Sequence, residues 1–410
     1  MAESEILKTE LAEYVCGAND VIELKLVRDV NDIFDDTKSF HPEFTHQLFG
    51  QNENIFGYKG LKIQLYFSAA NLNCYLAKSS TAEVDTKKYD GVKPDDVLKT
   101  IIDQLEIEPM SSLDHFIAKL PEELSFQPMG ELIHSYTTEE HEGTSRQYEI
   151  YKCDISDQKF REYHSRMQTF LWWYIDAASY IDVDDDKWMY YTILEKFPSN
   201  GAKQYAFVGY GTVYRYYAYP DKVRPRISQV LILPPFQKQG LGVTFLRAIN
   251  NNIQNDGQVL DITVEDPSED FVRIRDFIDC QDCSSLPAFS KEKLKGGFSP
   301  EMEKEAQFKF KINKKQARRV YEILKWMGID QGNAEEVRSY RLEVKKRLNI
   351  PFQKQKSDYE KLKRVLKPEE LTATMEGTSL EERQKTLELW YNELMVDYEK
   401  VVKRLQNVLP

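Results

Sequence analysis

Residues 226–252 carry three local signals in immediate succession, and few geometries satisfy all three. Arg226-Ile-Ser-Gln-Val-Leu-Ile-Leu233 is an apolar, β-rich run closed by Pro234-Pro235-Phe236. Val230, Leu231 and Ile232 favour a buried strand, and two prolines that cannot donate to a ladder stop it there. From Val243 the apolar spacing becomes helical, with Val243, Leu246, Ala248, Ile249 and Ile253 on one face. Strand and helix meet at Gln237-Lys238-Gln239-Gly240-Leu241-Gly242. Glycine lets the backbone approach a ligand there, and the first amides of a helix have no intrahelical acceptor, so the junction predicts a cradle for a phosphate-like anion. A tight strand-to-helix turn without a ligand would use the same two glycines.

The junction lacks the Gly-Lys-Ser/Thr ending of a P-loop and the G-x-G-x-x-G of a dinucleotide site. Its string, Gln-x-x-Gly-x-Gly between strand and helix, resembles the acetyl-CoA signature of the GNAT superfamily of N-acetyltransferases. Five further runs extend the likeness: Val21-Ile-Glu-Leu-Lys-Leu-Val-Arg28, Thr45-His-Gln-Leu-Phe-Gly50, Phe56-Gly-Tyr-Lys-Gly60, Tyr217-Ala-Tyr-Pro-Asp-Lys222 and Leu260-Asp-Ile-Thr-Val-Glu-Asp-Pro267. Over about residues 20–370 they resemble the type B histone acetyltransferase family.

At 410 residues the chain calls for two or three domains. No stretch approaches the roughly 18 unbroken apolar residues of a membrane span, and Met1-Ala-Glu-Ser-Glu does not begin a signal peptide, so an intracellular protein is expected. Five scattered cysteines, Cys16, Cys74, Cys153, Cys280 and Cys283, argue against a disulfide framework. Cys280 and Cys283 form one C-x-x-C, but zinc needs four ligands and no second pair or His cluster is near, so no metal is expected. Charge is uneven: residues 1–300 carry a net −17 and residues 301–410 a net +5. An acidic front disfavours nucleic acid and attracts a basic ligand.

Taken in order, the chain predicts an α+β protein in three parts. Residues 1–136 read as a mixed domain, with helices over 3–15, 94–105 and 113–120 and strands over 21–27 and 61–67. The polar stretch 137–145 reads as a linker or exposed loop. Residues 137–298 read as the acetyltransferase core: a strand over 146–153, a long aromatic-rich helix over 162–181, two strands over 189–196 and 205–219, the central strand-turn-helix, a strand over 260–264 and a helix over 268–277. Residues 299–410 read as helices over 314–327, 334–348, 351–366 and 380–408. In the last, which opens on the capping-box pattern Ser379-Leu-Glu-Glu382, Leu387, Tyr391, Leu394, Tyr398, Val401 and Leu405 form a coiled-coil-like seam. It suits a hairpin with the helix from Pro351 or a partner helix equally. Lys314-Lys-Gln-Ala-Arg-Arg319 reads as a solvated helix face, with nuclear import as the other reading. The resemblance implies a GNAT-type core whose mixed sheet splays around the acetyl-bearing arm.

Acetylating a lysine requires its ammonium, with a pKa near 10.4, to lose a proton before it attacks a thioester. Glu265 and Asp266, at the end of a strand following the cradle, are candidate bases, and the resemblance points to Glu265. Asp176 is a further candidate, where the family pattern has Glu. Backbone amides of Gln237, Lys238, Gln239, Gly240, Leu241, Gly242 and Val243 are expected to hold the pyrophosphate of acetyl-CoA, and main-chain groups of Val230, Leu231 and Ile232 its pantetheine. Ser268 is either a further cofactor contact or a helix N-cap. A lysine substrate needs an apolar sleeve and acidic neighbours, which Trp188, Tyr214 and Tyr216 with Asp184, Asp185 and Asp186 can supply. The resemblance adds Arg215 and the segment Gln51, Asn52 and Glu53, where the family pattern is more acidic.

The resemblance further implies that the substrate is the N-terminal tail of newly synthesised, soluble histone H-four, that the partner is a WD-repeat retinoblastoma-binding histone chaperone, and that the protein is nuclear and cytoplasmic. An acetyltransferase for other protein amines, and a histone-binding assembly factor without catalysis, are the alternatives.

Overall fold

The computed structural model describes residues 10–89, 91–139, 145–199, 202–362 and 380–409. The chain folds as α+β in two compact units, residues 1–217 with 225–256, and residues 218–224 with 257–410.

The first unit opens with a three-stranded sheet in which Ile22–Val27 runs parallel to Lys62–Ser68, which pairs antiparallel with Cys74–Ser79. Helices Val97–Leu105 and Leu113–Lys119 follow, each started by a side chain that takes up an orphan amide: Asp96 accepts from Lys99 N–H and Ser112 from His115 N–H. Val27, Ile33, Tyr66, Tyr75, Phe116 and Leu120 form one buried cluster. Val21 ends a short helical turn, Ala18–Val21, so the first of these strands begins one residue later than its apolar run. Residues 10–12 are helical, and the rest of the helix expected over 3–15 falls partly on 3–9, outside the described residues.

Five strands lie in order in one sheet: Glu131–Glu139, Ser145–Cys153, Trp188–Ser199, Ala202–Ala218 and Lys222–Ile232. The polar stretch 137–145 is therefore not a linker where it is described, because residues 137–139 are strand and pair with 145–147. Its centre, 140–144, lies outside the described residues. Helix Leu241–Gln254 buries Leu241, Phe245, Leu246, Ala248, Ile249 and Ile253, so Phe245 joins the apolar stripe and Val243 sits at its margin. A side chain at Gly211 would meet Phe245 and Ile249 at 3.4 Å, which places this helix against the sheet at that glycine.

The long helix expected over 162–181 is shorter and broken. Helix Gln158–Met167 passes through a 3-10 turn into Leu171–Tyr174, and Ile175 is extended at φ −125°. The cause is tertiary. The Trp173 carbonyl, which a continuing helix would give to residue 177, accepts instead from Glu43 N–H at 2.8 Å and Phe44 N–H at 3.1 Å. Further bonds hold the extended stretch: Gln47 Nε2 donates to the Ala178 carbonyl and Gln229 Nε2 to the Ser179 carbonyl, both at 3.0 Å. Trp173 and Tyr174 are buried, as an apolar helix end requires.

Among the described residues of the second unit the α-helices are Glu269–Ser284, Lys291–Lys295, Pro300–Phe310, Lys314–Gly328, Ala334–Leu348, Ile350–Leu362 and Leu380–Leu405. Residues 363–366 of the helix expected over 351–366, and Ser379 of the capping box, lie outside the described residues. The expected strand over 260–264 is regular only at Thr263–Val264. Along Leu380–Leu405 the buried residues are Tyr391, Met395, Tyr398, Val401, Val402 and Leu405, and the helix packs on Glu269–Ser284, Lys314–Gly328 and Ala334–Leu348 of its own chain. The seam is thus internal and broader than one hairpin, although Phe352 also stacks on Trp390.

Charges are built into this packing. Buried Glu322 accepts from Arg318 Nε at 3.1 Å, from Arg347 Nε and Nη2 at 2.7 and 2.8 Å, and from Tyr398 Oη at 2.9 Å. Buried Asp276 accepts from Arg319 Nε at 2.6 Å and Gln316 Nε2 at 3.0 Å. Arg318 and Arg319 of the basic run are therefore ion-paired inward, and only part of 314–319 is a solvated face.

Asp279 is buried, and burial pushes its pKa up to about 7, with the pull of Arg275, whose Nε lies 3.4 Å from Asp279 Oδ2, failing to reverse it. A folded-state pKa above the ordinary value of 3.8 means that the folded unit holds the proton more tightly than the unfolded chain. This contribution to stability is complete below that ordinary value and is lost as pH rises through about 7. Asp279→Asn should lack the loss, so melting temperatures taken across this window should move in favour of the variant as pH rises. A constant difference between the two proteins would show that Asp279 does not titrate there.

Candidate active site

The strand Lys222–Ile232 alternates, with Ile227, Gln229 and Leu231 buried and Val230 and Ile232 half-buried on the opposite face. Its end is pinned from the neighbouring strand. The register between Trp188–Ser199 and Ala202–Ala218 skips Val208, since Ile193 faces Gly209 and Leu194 faces Phe207, and the Val208 carbonyl accepts from Leu233 N–H at 2.9 Å. A side chain at Gly209 would fall 2.0 Å from the Leu231 carbonyl, so glycine is required for the two strands to lie this close.

Beyond Ile232 the chain makes the 3-10 turn Pro234–Phe236 and then folds its own side chains back onto it. Gln237 Nε2 donates to the Ile232 carbonyl at 2.8 Å and Gln239 Nε2 to the Pro235 carbonyl at 3.2 Å. Gln237 and Gln239 thus shape the loop with their side chains. Lys238 has φ 61° and Gly240 φ 82°. Gly240 is the N-cap of Leu241–Gln254, supplies no capping side chain, and has open space around the position of a Cβ. By helix geometry the amides of Leu241 and Gly242 have no intrahelical acceptor. An anion fits this helix start, because nothing of the N-cap residue covers it and the macrodipole favours negative charge there.

On the same unit Trp188 and Tyr214 face each other across adjacent strands with ring centroids 4.9 Å apart, and Tyr216 lies 4.6 Å from Tyr214. The Tyr214 hydroxyl donates to Asp185 Oδ2 at 2.8 Å. The Lys187 amide and the Tyr214 hydroxyl hold the Asp185 carboxyl below its ordinary range, while Asp184 is paired with Arg161. The structure therefore assembles Trp188, Tyr214, Tyr216 and Asp185 into one surface. Arg226, which the sequence did not single out, lies 4.5 Å from the Tyr216 ring centre, and Arg215 instead pairs with Asp256 at 3.3 Å.

Gln51 and Asn52 are exposed on a turn, but Glu53 is occupied. It accepts from Thr45 N–H at 2.7 Å, His46 N–H at 3.1 Å and Asn19 Nδ2 at 2.9 Å, bonds that hold its pKa down. Asp176 follows the broken helix, not within one, with a side chain 68% exposed and 3.2 Å from His46 Nε2. His46 so links Glu53 to Asp176. Nothing local in the sequence marks that bridge, since Asp176 lies far along the chain from His46 and Glu53.

In the second unit Glu265 and Asp266 are exposed just past Thr263–Val264. The strand has ended before them and Asp266 turns at φ 30°, so strand alternation does not force their carboxylates onto opposite faces. Ser268 accepts from Phe271 N–H at 3.3 Å and is the N-cap of Glu269–Ser284.

The strand pinned at its end thus passes through a tight turn into a glycine-started helix without a capping side chain, on a sheet of long consecutive strands. The chain belongs to the family of histone acetyltransferase type B catalytic subunits. The family description "Histone acetyl transferase HAT1 N-terminus" matches residues 14–176, and "Histone acetyltransferase type B catalytic subunit, C-terminal" matches residues 275–326. The chain is 46% identical over 400 residues to the histone acetyltransferase type B catalytic subunit of Homo sapiens, an alignment spanning 97% of this chain and 95% of the relative. It is 31% identical over 432 residues to that of Cryptococcus neoformans, spanning 96% of this chain and 98% of the relative. Among solved structures, an aminoglycoside acetyltransferase from a soil metagenome aligns at 16% identity over 30% of this chain and 80% of that chain, with a TM-score of 0.23.

Proposed function

We propose that the protein transfers acetyl from acetyl-CoA to lysines in the N-terminal tail of newly synthesised, soluble histone H-four. The observation that carries the reading is the helix start at Gly240, left-handed and uncapped by a side chain, in a chain of this family. Backbone amides from Gln237 to Val243 bind the pyrophosphate, and main-chain groups of Val230 to Ile232 align the pantetheine. When bound, acetyl-CoA supplies an acetyl group activated as a thioester. Trp188, Tyr214 and Tyr216 sheathe the lysine methylenes, and Asp185 with the acidic surface of residues 1–300 draws in the basic tail. Glu265 takes the proton from the lysine ammonium, after which the amine attacks directly in a ternary complex and no acyl-enzyme forms.

In this reading residues 1–136 contribute tail contacts, 137–298 hold acetyl-CoA and 299–410 form the helical part. The partner is a WD-repeat retinoblastoma-binding histone chaperone, and the protein works in both cytoplasm and nucleus. Among the described residues no helix is long and apolar enough to cross a membrane. Mass spectrometry of an H-four tail peptide incubated with the protein and acetyl-CoA tests the reading. Acetyl groups on lysine side chains are expected, and a peptide left unmodified, or modified only at its α-amine, would overturn it.

A further inference from the structure

Glu265 sits in a short corner of the second unit whose two arms are tied to each other. Thr263–Val264 enters the corner, Asp266 turns it, and Ser268 opens the departing helix, Glu269–Ser284. Three residues before Glu265, the Ile262 amide donates to the Lys311 carbonyl at 2.8 Å. The Ile262 carbonyl accepts from two side chains at once, Arg275 Nη2 at 3.0 Å and Asn313 Nδ2 at 3.1 Å. Asp261, 3% exposed, takes Arg224 Nε at 2.5 Å and Arg224 Nη2 at 3.0 Å, with Gln307 Nε2 at 3.3 Å. Arg275 belongs to the departing helix and so closes the corner back on the arm that enters it. Asn313 comes from the helical part of the chain and does two jobs: its Oδ1 caps Lys314–Gly328 by accepting from Gln316 N–H at 3.1 Å, and its Nδ2 reaches Ile262.

We infer that Asn313 and Arg275 are positioning residues for Glu265, acting through the Ile262 carbonyl; this rests on Glu265 being the base. Neither has to touch substrate. A carboxylate that removes a proton must be held within a fraction of an ångström, and the backbone beneath a side chain sets where that side chain can reach. Two charged or amide donors converging on one carbonyl, next to buried Asp261 and the half-exposed Arg224 that it holds, fix that backbone where the regular strand is only two residues long. The helices of residues 299–410 thereby take part in the reaction, through Asn313 and Gln307.

Asn313→Asp separates this role from stability. Aspartate caps a helix as well as asparagine does, so Lys314–Gly328 keeps its start, while the donor to Ile262 is replaced by an oxygen that repels the carbonyl. With one of two donors lost, kcat is expected to fall about tenfold, with the KM for acetyl-CoA and the melting temperature close to wild type. Added to Glu265→Gln, the substitution should cost almost nothing further, because the group it positions is gone. Should Asn313→Asp fail to fold, Arg275→Gln serves, read by kcat alone and in combination with Glu265→Gln, because Arg275 also lies 3.4 Å from buried Asp279 and its loss moves the melting temperature by that route. If Glu265→Gln is crippled but Asn313→Asp keeps wild-type kcat, or multiplies the loss in the double variant, the positioning role is wrong and the base stands. Wild-type turnover in Glu265→Gln removes both.

Discussion

Glu265→Gln is expected to lower kcat by about 100- to 10,000-fold, the range that a positioned general base is worth, with little change in acetyl-CoA affinity. Glutamine keeps the size of the side chain but cannot take up the lysine proton, and the cradle at Gly240 uses none of it. The carboxylate sits just past Thr263–Val264, at the corner that Asp266 turns and Ser268 closes. Asp176→Asn should cost less, because Asp176 is 68% exposed and its nearest basic group is His46. Asp266→Asn tests the adjacent carboxylate, which the end of the strand leaves free of any alternation constraint.

Glu322→Ala should be the most damaging single truncation in the helical unit. It removes the shared acceptor of Arg318, Arg347 and the buried Tyr398 hydroxyl, which join three helices. Breaking one side of a buried ion pair costs roughly 3–5 kcal/mol. Arg318 and Arg347 keep 23% and 31% of their side chains exposed, which places the loss near the lower end, about 3 kcal/mol. Urea unfolding followed by far-ultraviolet circular dichroism reads it as a lower midpoint, and a loss under about 1 kcal/mol would mean that water takes over the role of the carboxylate.

What the sequence made legible was local. The strand, turn and helix around Gly240 are written in prolines, glycines and apolar spacing within 27 residues of chain, and the structure has them in that order. Helix Ala334–Leu348 has the bounds expected from the sequence, with Asn333 as its cap. The failures were non-local. Nothing near Trp173 announces that its carbonyl is taken by Glu43 and Phe44, so the apolar spacing alone carries a helix through Asp176. Thr137, Thr138 and Glu139 look like loop residues until Ser145–Cys153 is laid beside them. The same holds for the candidate site. Trp188, Tyr214 and Tyr216 can be grouped because alternation puts 214 and 216 on one face, whereas no periodicity shows that Glu53 is taken up by the nearby amides of Thr45 and His46 and by the side chain of Asn19 from further back in the chain. The anchors of the Glu265 corner, Arg224, Arg275 and Asn313, carry no motif, and they stand out only where their side chains converge.

The pH dependence of kcat for wild type and Glu265→Gln, measured side by side on an H-four tail peptide with saturating acetyl-CoA, tests the central claim most directly. The wild type should show a rising limb that the variant loses or displaces, together with the fall in turnover. Near-normal turnover and an unchanged limb in Glu265→Gln, with both lost in Asp176→Asn or Asp266→Asn, would contradict the account and pass the role to that residue.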